Sequence, residues 1–339
     1  MIEQGTHQIE RKVTAILKIL HDSATPLGGR AIAQRLKELG IDLGERAVRY
    51  HLKIMDEKGL TEQMGSHSGR RITQSGLEEL RSALVCDKVG FTTDKLELLA
   101  YLTSFHPAER SGFVPINVSL FSKKDFPLAL KIMADIFRTG LCPSRLVSIA
   151  GEGERLGETI IPEEKVGFAT VSSAAVCGVM LKAGIPIDFR FGGILQFRDR
   201  RPTRFIDLIE YHSSTVDPFE MFVAAKMTSV CHIAQDGNGN MLASFQELPL
   251  PSRPAAERVI ESLRASGLCS SAFLGKANEP LYEIPVRPNK VGLVVPSGLN
   301  AAAAVAEHNI SVITKATSGV ISFEKLTDFW NLLPEVPFI

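Results

Sequence analysis

The chain has 339 residues, 45% of them hydrophobic and 22% charged, which is the profile of a packed globular protein of two or three domains and excludes a disordered one. Formal net charge is zero, and residues 1–85 carry 13 Lys+Arg against 11 Asp+Glu while the rest carries 25 against 27, so a nucleic-acid partner must show itself in where charges sit. No apolar run reaches the length of a membrane span and no basic-then-apolar leader opens the chain, so the expectation is a cytoplasmic protein with no membrane partner. Cys86, Cys142, Cys177, Cys231 and Cys269 are widely spaced without a CxxC pair, and the histidines form no ligand cluster, so reduced thiols and no metal are expected.

A first helix is predicted from about Gln8 to Asp22, where Ile9, Val13, Ile16, Leu17 and Leu20 repeat at helical spacing before Thr25-Pro26-Leu27-Gly28-Gly29 breaks the pattern. A second, short helix places Ile32, Leu36 and Leu39 inward and ends at Gly40. A third runs from about Glu45 to Lys58 and has two faces. Val48, Leu52 and Met55 form the inner stripe; Arg46, Arg49, Tyr50 and Lys53 fall at i, i+3, i+4 and i+7 on the other. Such a face suits a major groove, because Arg can grip guanine bidentately while Lys and Tyr hold phosphates. Glu45 favours the helix dipole or accepts from cytosine, and His51 falls on the inner side. Thr61–Met64, the polar tip 65–69 with His67, and Arg70-Arg71-Ile72-Thr73 then read as a hairpin with basic residues beside its tip. Helix, helix, helix, hairpin is the order of a winged helix, although a basic face is also what a solvated surface or a protein-binding winged helix presents. A further helix from about Thr93 to Phe105, with Leu77–Leu84 before it, forms a connector.

Beyond the connector the chain repeats itself. Gly140-Leu141-Cys142-Pro143-Ser144 recurs as Gly267-Leu268-Cys269-Ser270-Ser271, 127 residues on; Lys165-Val166-Gly167-Phe168 recurs as Lys290-Val291-Gly292-Leu293, 125 on; Gly193-Ile194-Leu195 recurs as Gly319-Val320-Ile321, 126 on. Three ordered matches at near-constant offset imply two related α/β halves, each reading strand, helix, strand, strand, helix, strand, strand. The segment Arg204–Met227 has no counterpart.

The first half contains residues suited to holding an acid. The buried strand 166–171 leads through Ser172-Ser173 into a helix at Ala174, so two hydroxyls and free helix-start N–H groups converge; plain N-capping is the alternative. Asp188-Phe189-Arg190-Phe191 runs into Gly192-Gly193, where backbone can approach a ligand, and Arg198, Arg200, Arg201 and Arg204 crowd the next stretch as a clamp or a solvated hairpin. Cys177 falls about one turn into the helix after Ser172. Gly151-Glu152-Gly153-Glu154-Arg155-Leu156-Gly157 leads into Thr159-Ile160-Ile161-Pro162 and not a helix, so the dinucleotide mechanism is absent. No nucleophile–base constellation emerges, and no catalytic residue is assigned.

These stretches resemble the NrpR-type nitrogen-regulatory repressors of archaea and their bacterial homologues. Arg46-Ala47-Val48-Arg49-Tyr50-His51-Leu52 and Gly69-Arg70-Arg71-Ile72-Thr73 are similar to their winged helix, of the type also named for ribonuclease R. Residues 165–173, Gly184-Ile185-Pro186, Arg190-Phe191-Gly192-Gly193, Pro202-Thr203-Arg204-Phe205 and Asp217-Pro218-Phe219-Glu220-Met221-Phe222 look like their effector domain. The resemblance implies repression by a dimer on DNA, relieved by 2-oxoglutarate; some members carry two effector domains in tandem, and this chain has length for one.

The expectation is thus an α+β protein: a winged helix-turn-helix DNA-binding domain (1–82), a helical connector (83–111), and a duplicated α/β effector domain with mixed sheets (112–238 and 239–339). It is a non-enzymatic, homodimeric repressor of double-stranded operator DNA, without cofactor. Its effector, an acidic metabolite read as 2-oxoglutarate, sits around Ser172, Ser173, Cys177, Arg190, Gly192, Gly193 and Arg204. An enzyme acting on a small acidic substrate, with the winged helix serving self-regulation, and a protein-binding corepressor adaptor remain the alternatives.

Overall fold

The computed structural model describes residues 2–23, 25–65, 69–82 and 91–333, and the chain divides into two units, Met1–Val89 and Gly90–Ile339.

The first unit contains α1 (Ile2–His21), α2 (Gly29–Glu38), α3 (Glu45–Glu57), β1 (Thr61–Gln63), β2 (Arg70–Ile72) and α4 (Gln74–Ser82). One core holds it together: Ile16, Leu17 and Leu20 of α1, Ile32 and Leu36 of α2, and Val48, Leu52 and Met55 of α3. Among the described side chains the periodicity of the sequence meets that core with one exception, and that of Ile9 lies outside them. Leu39 is 60% exposed, because α2 ends at Glu38 and the cap residue points away from the core stripe. α1 begins six residues before the expected Gln8. Leu27 joins the β1–β2 hairpin as a third short strand, exchanging backbone bonds of 3.0 and 2.9 Å with Arg70. Gly69, at φ +81°, permits that approach: a Cβ there would lie 2.6 Å from the Leu27 carbonyl carbon. This is a winged helix.

The second unit opens with α5 (Phe91–Leu102). The first repeat follows: β3 (Phe113–Ser122), α6 (Phe126–Arg138), β4 (Leu146–Ala150), the small hairpin β5 (Arg155–Leu156) and β6 (Thr159–Ile160), β7 (Lys165–Val171), α7 (Ala174–Lys182), β8 (Asp188–Arg198) and β9 (Arg201–Glu210). Two short helices, α8 (Pro218–Ala224) and α9 (Val230–Asp236), lead to the second repeat. That comprises β10 (Gly239–Pro249), α10 (Arg253–Ser266), β11 (Phe273–Leu274), β12 (Lys290–Pro296), α11 (Asn300–Glu307), β13 (Val312–Lys315), β14 (Val320–Ser322) and β15 (Thr327–Asp328).

The repeated Gly-Leu-Cys has a physical cause. Gly140 and Gly267, at φ +70° and +88°, take the left-handed turn after α6 and α10 that a side chain disfavours.

The two repeats do not form separate sheets. One sheet has the order β13-β3-β7-β4-β15, with β14 also on β3, and the other β11-β12-β10-β8-β9. Each takes three strands from one repeat and closing strands from the other. The registers show the exchange is symmetric: β8 pairs β10 through Asp188↔Glu247, and β13 pairs β3 through Val312↔Phe121, with Phe121 and Glu247 126 residues apart. Residue 238 therefore divides the sequence but not the body. Every strand pair among the described residues is antiparallel, where mixed sheets were expected, because the exchanged strands return beside the first strand of the other repeat without a parallel crossover. Each of two cores draws on both sheets. Phe121, Phe168 and Phe245 pack with α6 and α11; Ile116, Val118, Leu293 and Val295 pack with α7 and α10. β3 and β10 are buried almost throughout, which accounts for their near-continuous apolar runs. α5, expected as a connector, packs on α7 through Leu96, Ala100, Ala174 and Cys177.

Candidate functional site

In the first unit the candidate face is α3. Val48, Leu52 and Met55 are fully buried, which forces Arg46, Arg49, Tyr50 and Lys53 to the surface. Tyr50 is 65% exposed. The cations are only lightly restrained: the Arg49 guanidinium donates to Glu45 one turn back, and Lys53 Nζ lies 4.0 Å from Glu57. Glu45 thus orients Arg49 along the helix. His51 sits half-buried behind this face, and burial followed by the charge of Lys12 lowers its pKa.

On the hairpin the two arginines part company. Arg70 is mostly buried and its Nε donates to Asp56 Oδ2 at 2.7 Å, while Asp56 also accepts from Thr61 at 2.6 Å. Arg70 therefore ties the wing to α3. Arg71 points the other way and is exposed. His67, at the tip, lies outside the described residues.

The acid-binding residues expected in the second unit are not brought to one cavity. Ser172 and Ser173 are buried, and the Ser172 hydroxyl accepts the Ala174 N–H at 3.3 Å, so the helix start is closed by the chain itself. Cys177 is fully buried and burial pushes its thiol up to about 12, which makes it a small apolar side chain. Gly192 faces the same cluster: a Cβ there would lie 2.8 Å from Pro218 and 3.0 Å from the Tyr211 hydroxyl. Cys177 and Gly192 thus meet around buried Tyr211. Gly193 packs against Asp207, Leu208 and Phe205 of β9. Arg204 is exposed on β9 and donates to Gln196 at 3.3 Å. Residues 198–201 form the exposed tip of the β8–β9 hairpin, whose turn residues Asp199 and Arg200 have φ of +50° and +63°.

Arg190 leaves this cluster for a partner the sequence did not announce. Its Nη1 donates to Glu247 Oε2 at 3.1 Å, and Glu247 is fully buried. The guanidinium of Arg287 donates to the same carboxylate and to Asp188, and the Arg287 N–H donates to Glu247 Oε1 at 3.1 Å. Two acids thus neutralise two arginines beside a groove of about 460 Å³ that also includes Phe191 and Leu208.

Two further acids lie in the segment without a counterpart. Asp217 caps α8, accepting from Phe219 N–H at 2.9 Å; burial pushes its pKa up to about 6. Glu220 accepts the Ala316 N–H at 2.7 Å, and burial together with the nearby Asp217 charge pushes it up to about 7. Asn300, at the helix start that is the second repeat's counterpart of Ser172-Ser173, is another buried polar group. Its amide accepts from Leu242 N–H at 2.8 Å and donates to the carbonyls of Leu141 and Leu242 at 2.8 and 3.0 Å, tying the two repeats together.

Among the described residues no helix is long and apolar enough to cross a membrane, and no group of His, Cys, Asp or Glu is placed to hold a metal ion.

A winged helix with an exposed cationic face on its third helix, followed by an α+β unit, is the architecture of a regulator. Residues 14–80 match the ribonuclease R winged-helix domain, and residues 89–328 match the NrpR regulatory domains NRD1 and 2. The global nitrogen regulator NrpRI of Methanosarcina mazei is 36% identical over 321 residues, covering 95% of this chain and 98% of its own. The global nitrogen regulator NrpR of Methanococcus maripaludis is 30% identical and that of Methanocaldococcus jannaschii 31%, each over 94% of this chain. The chain spans 58% and 55% of the length of those two. A crystal structure of a nitrogen repressor-like protein from Methanococcus jannaschii superposes with a TM-score of 0.58 at 25% identity, covering 70% of this chain and 98% of the other. The chain belongs to the NrpR family of nitrogen regulators.

Proposed function

We propose that the chain is a transcriptional repressor of nitrogen-assimilation genes, acting in the cytoplasm as a homodimer on operator DNA and released by a small acidic metabolite, 2-oxoglutarate. The observation that carries the DNA-binding part is the exposed Arg46, Arg49, Tyr50 and Lys53 face of α3, at the position in a winged helix that enters a major groove. Arg71 on the wing is placed for the flanking backbone, and Arg70 acts by holding the wing. The family supports the nitrogen role, since the relatives covering nearly all of this chain are named global nitrogen regulators. One winged helix offers a small interface, so a two-fold dimer on an inverted repeat supplies the affinity.

Fluorescence anisotropy with labelled upstream regions of nitrogen-assimilation genes tests this reading. The expected result is specific binding, two protected half-sites, and loss of binding as 2-oxoglutarate is added, since an effector acts only through different affinities for the two states. Binding with no preference over random DNA would overturn the repressor reading; specific binding indifferent to 2-oxoglutarate and related acids would overturn the effector reading alone.

A further inference from the structure

The internal symmetry of the second unit gives each groove a counterpart. α7 packs on α10 as α11 packs on α6, and the segment leading into β10 has its counterpart in the segment leading into β3. Subtracting the offset of 126 that relates Glu247 to Phe121 places Val230–Ile233 on Ser104–Pro107 and His308 on Lys182.

At one of these two places the groove is filled. α9 lies against α6 and α11 and seals them with Val230 and Ile233, both buried. Glu307, in the last turn of α11, fixes α9 by accepting the N–H groups of Val230 and Cys231 at 2.7 and 3.0 Å and the Thr228 hydroxyl at 2.7 Å. A carboxylate thus completes that side.

At the other place the segment before β3, Ser104–Pro107, is not helical, and among the described residues no helix covers the α7–α10 pair there. A groove of about 670 Å³ remains, within the range of small-ligand sites. Its floor is apolar, from Phe105, Val179 and Val259, and its polar rim carries His106, Lys182 and Arg258. Among the described residues no Asp or Glu lines it. Arg258 makes no ion pair within the described residues; the nearby Glu257 is taken by Arg253 at 2.8 Å. Lys182 Nζ lies 4.7 Å from the centre of the Tyr101 ring, which holds the ammonium without neutralising it. The smaller groove beside Arg190 and Arg287 is different, because Glu247 and Asp188 already answer its cations.

We propose that the groove between α7, α10 and the Ser104–Pro107 turn is the acid-binding site of this unit, and that it takes a small molecule carrying two or more carboxylates. One acid group meets Lys182 and another Arg258, with the intervening body on Phe105 and Val259. The ligand occupies the place that α9 fills in the other repeat. It bridges α7 and α10, and α7 is the helix on which α5, the first described element of the second unit, is packed. This inference rests on the reading of the second unit as an effector binder.

The test is isothermal titration of the full chain with 2-oxoglutarate, with citrate and inorganic phosphate as separate arms, for the parent protein and for Lys182→Glu with Arg258→Glu. Both side chains are exposed, so circular dichroism and thermal melting should show an unchanged fold. The expected result is binding of the carboxylic acids by the parent, weakened roughly tenfold or more by the charge reversals, with effector-free operator affinity unchanged. Parent-like affinity in a folded double variant would overturn the site while leaving the effector reading intact. Binding of phosphate in preference to both carboxylic acids would overturn the ligand class. A parent that binds its operator but none of the three would overturn the site together with the effector reading.

Discussion

The arginines of the two units are the same side chain in opposite circumstances. On α3, Arg46 and Arg49 stand on an exposed face, restrained by nothing stronger than a one-turn pair with Glu45, and remain available to a polyanion. In the second unit Arg190 and Arg287 converge on a carboxylate with no exposed surface, and their charge is spent inside the protein. An arginine becomes a ligand-binding group or a structural one according to whether an acid is already beside it. Only in the helix is that acid close in sequence. Residue 45 is four from residue 49, whereas Glu247 is 57 residues from Arg190 and 40 from Arg287.

The sharpest way to break this comparison is to remove a buried polar tie in the second unit. Asn300→Ala leaves Leu242 N–H and the carbonyls of Leu141 and Leu242 without partners in the interior. Urea denaturation of the second unit should show a loss of roughly 3 kcal/mol, since each orphaned buried group carries a desolvation penalty. A loss below about 1 kcal/mol would mean that the exchange of strands, and not this amide, holds the repeats together.

A second, somewhat smaller effect follows from Asp217 and Glu220. Their folded pKa values, about 6 and about 7, lie above ordinary carboxylate values, so between about pH 4 and 7 the folded unit holds protons that the unfolded chain has released. Stability should therefore be greatest near the acid end of that window, fall as pH rises through it, and level off above it. Glu220→Gln keeps an acceptor for Ala316 N–H and removes the ionisation. It should flatten the upper part of the fall and raise stability at pH 8 by on the order of 2 kcal/mol. A pH profile parallel to the parent's would show that Glu220 ionises freely in the fold.

How much could be read from sequence follows the same division. The winged helix was legible because its cues are local: 3.6-residue periodicity placed Val48, Leu52 and Met55 inside and the four candidate DNA contacts outside. Leu39 fitted that periodicity and still faces solvent, because where a helix ends is set by its cap. The duplication was legible through Gly140 and Gly267, whose left-handed turns few other residues can take. The strand exchange was not, since a repeat in sequence says nothing about which copy of β3 a returning strand will join. Where the residues expected to hold an acid would sit was not legible for a related reason. Ser172, Ser173 and Arg190 are the right chemistry within a short stretch, but Ala174 N–H and Glu247 take up Ser172 and Arg190.

Within the first unit, Arg49→Ala sharpens the comparison by testing an exposed cation. It should cost about 1–3 kcal/mol of operator affinity and relax specificity at one base pair, with the melting temperature unchanged. An equal loss on random and operator DNA would reassign Arg49 to the phosphate backbone.

The smallest effect separates two adjacent residues. Arg70 and Arg71 differ by one position on β2, and a strand points successive side chains to opposite faces. Arg70 accordingly reaches Asp56 at 2.7 Å with only 20% of its side chain exposed, and Arg71 reaches solvent. Arg70→Ala should lower the stability of the first unit by about 1 kcal/mol, because the partly buried Asp56 loses its counter-charge. It should affect DNA only through a looser wing. Arg71→Ala should leave stability alone, weaken binding to all sequences a few-fold, and lower the slope of log affinity against log salt by about one. Melting curves and anisotropy titrations at several salt concentrations distinguish the two. If Arg70→Ala changed the salt slope as much as Arg71→Ala, the ion pair with Asp56 would have to open on DNA, and the wing would present two cations where the free protein shows one.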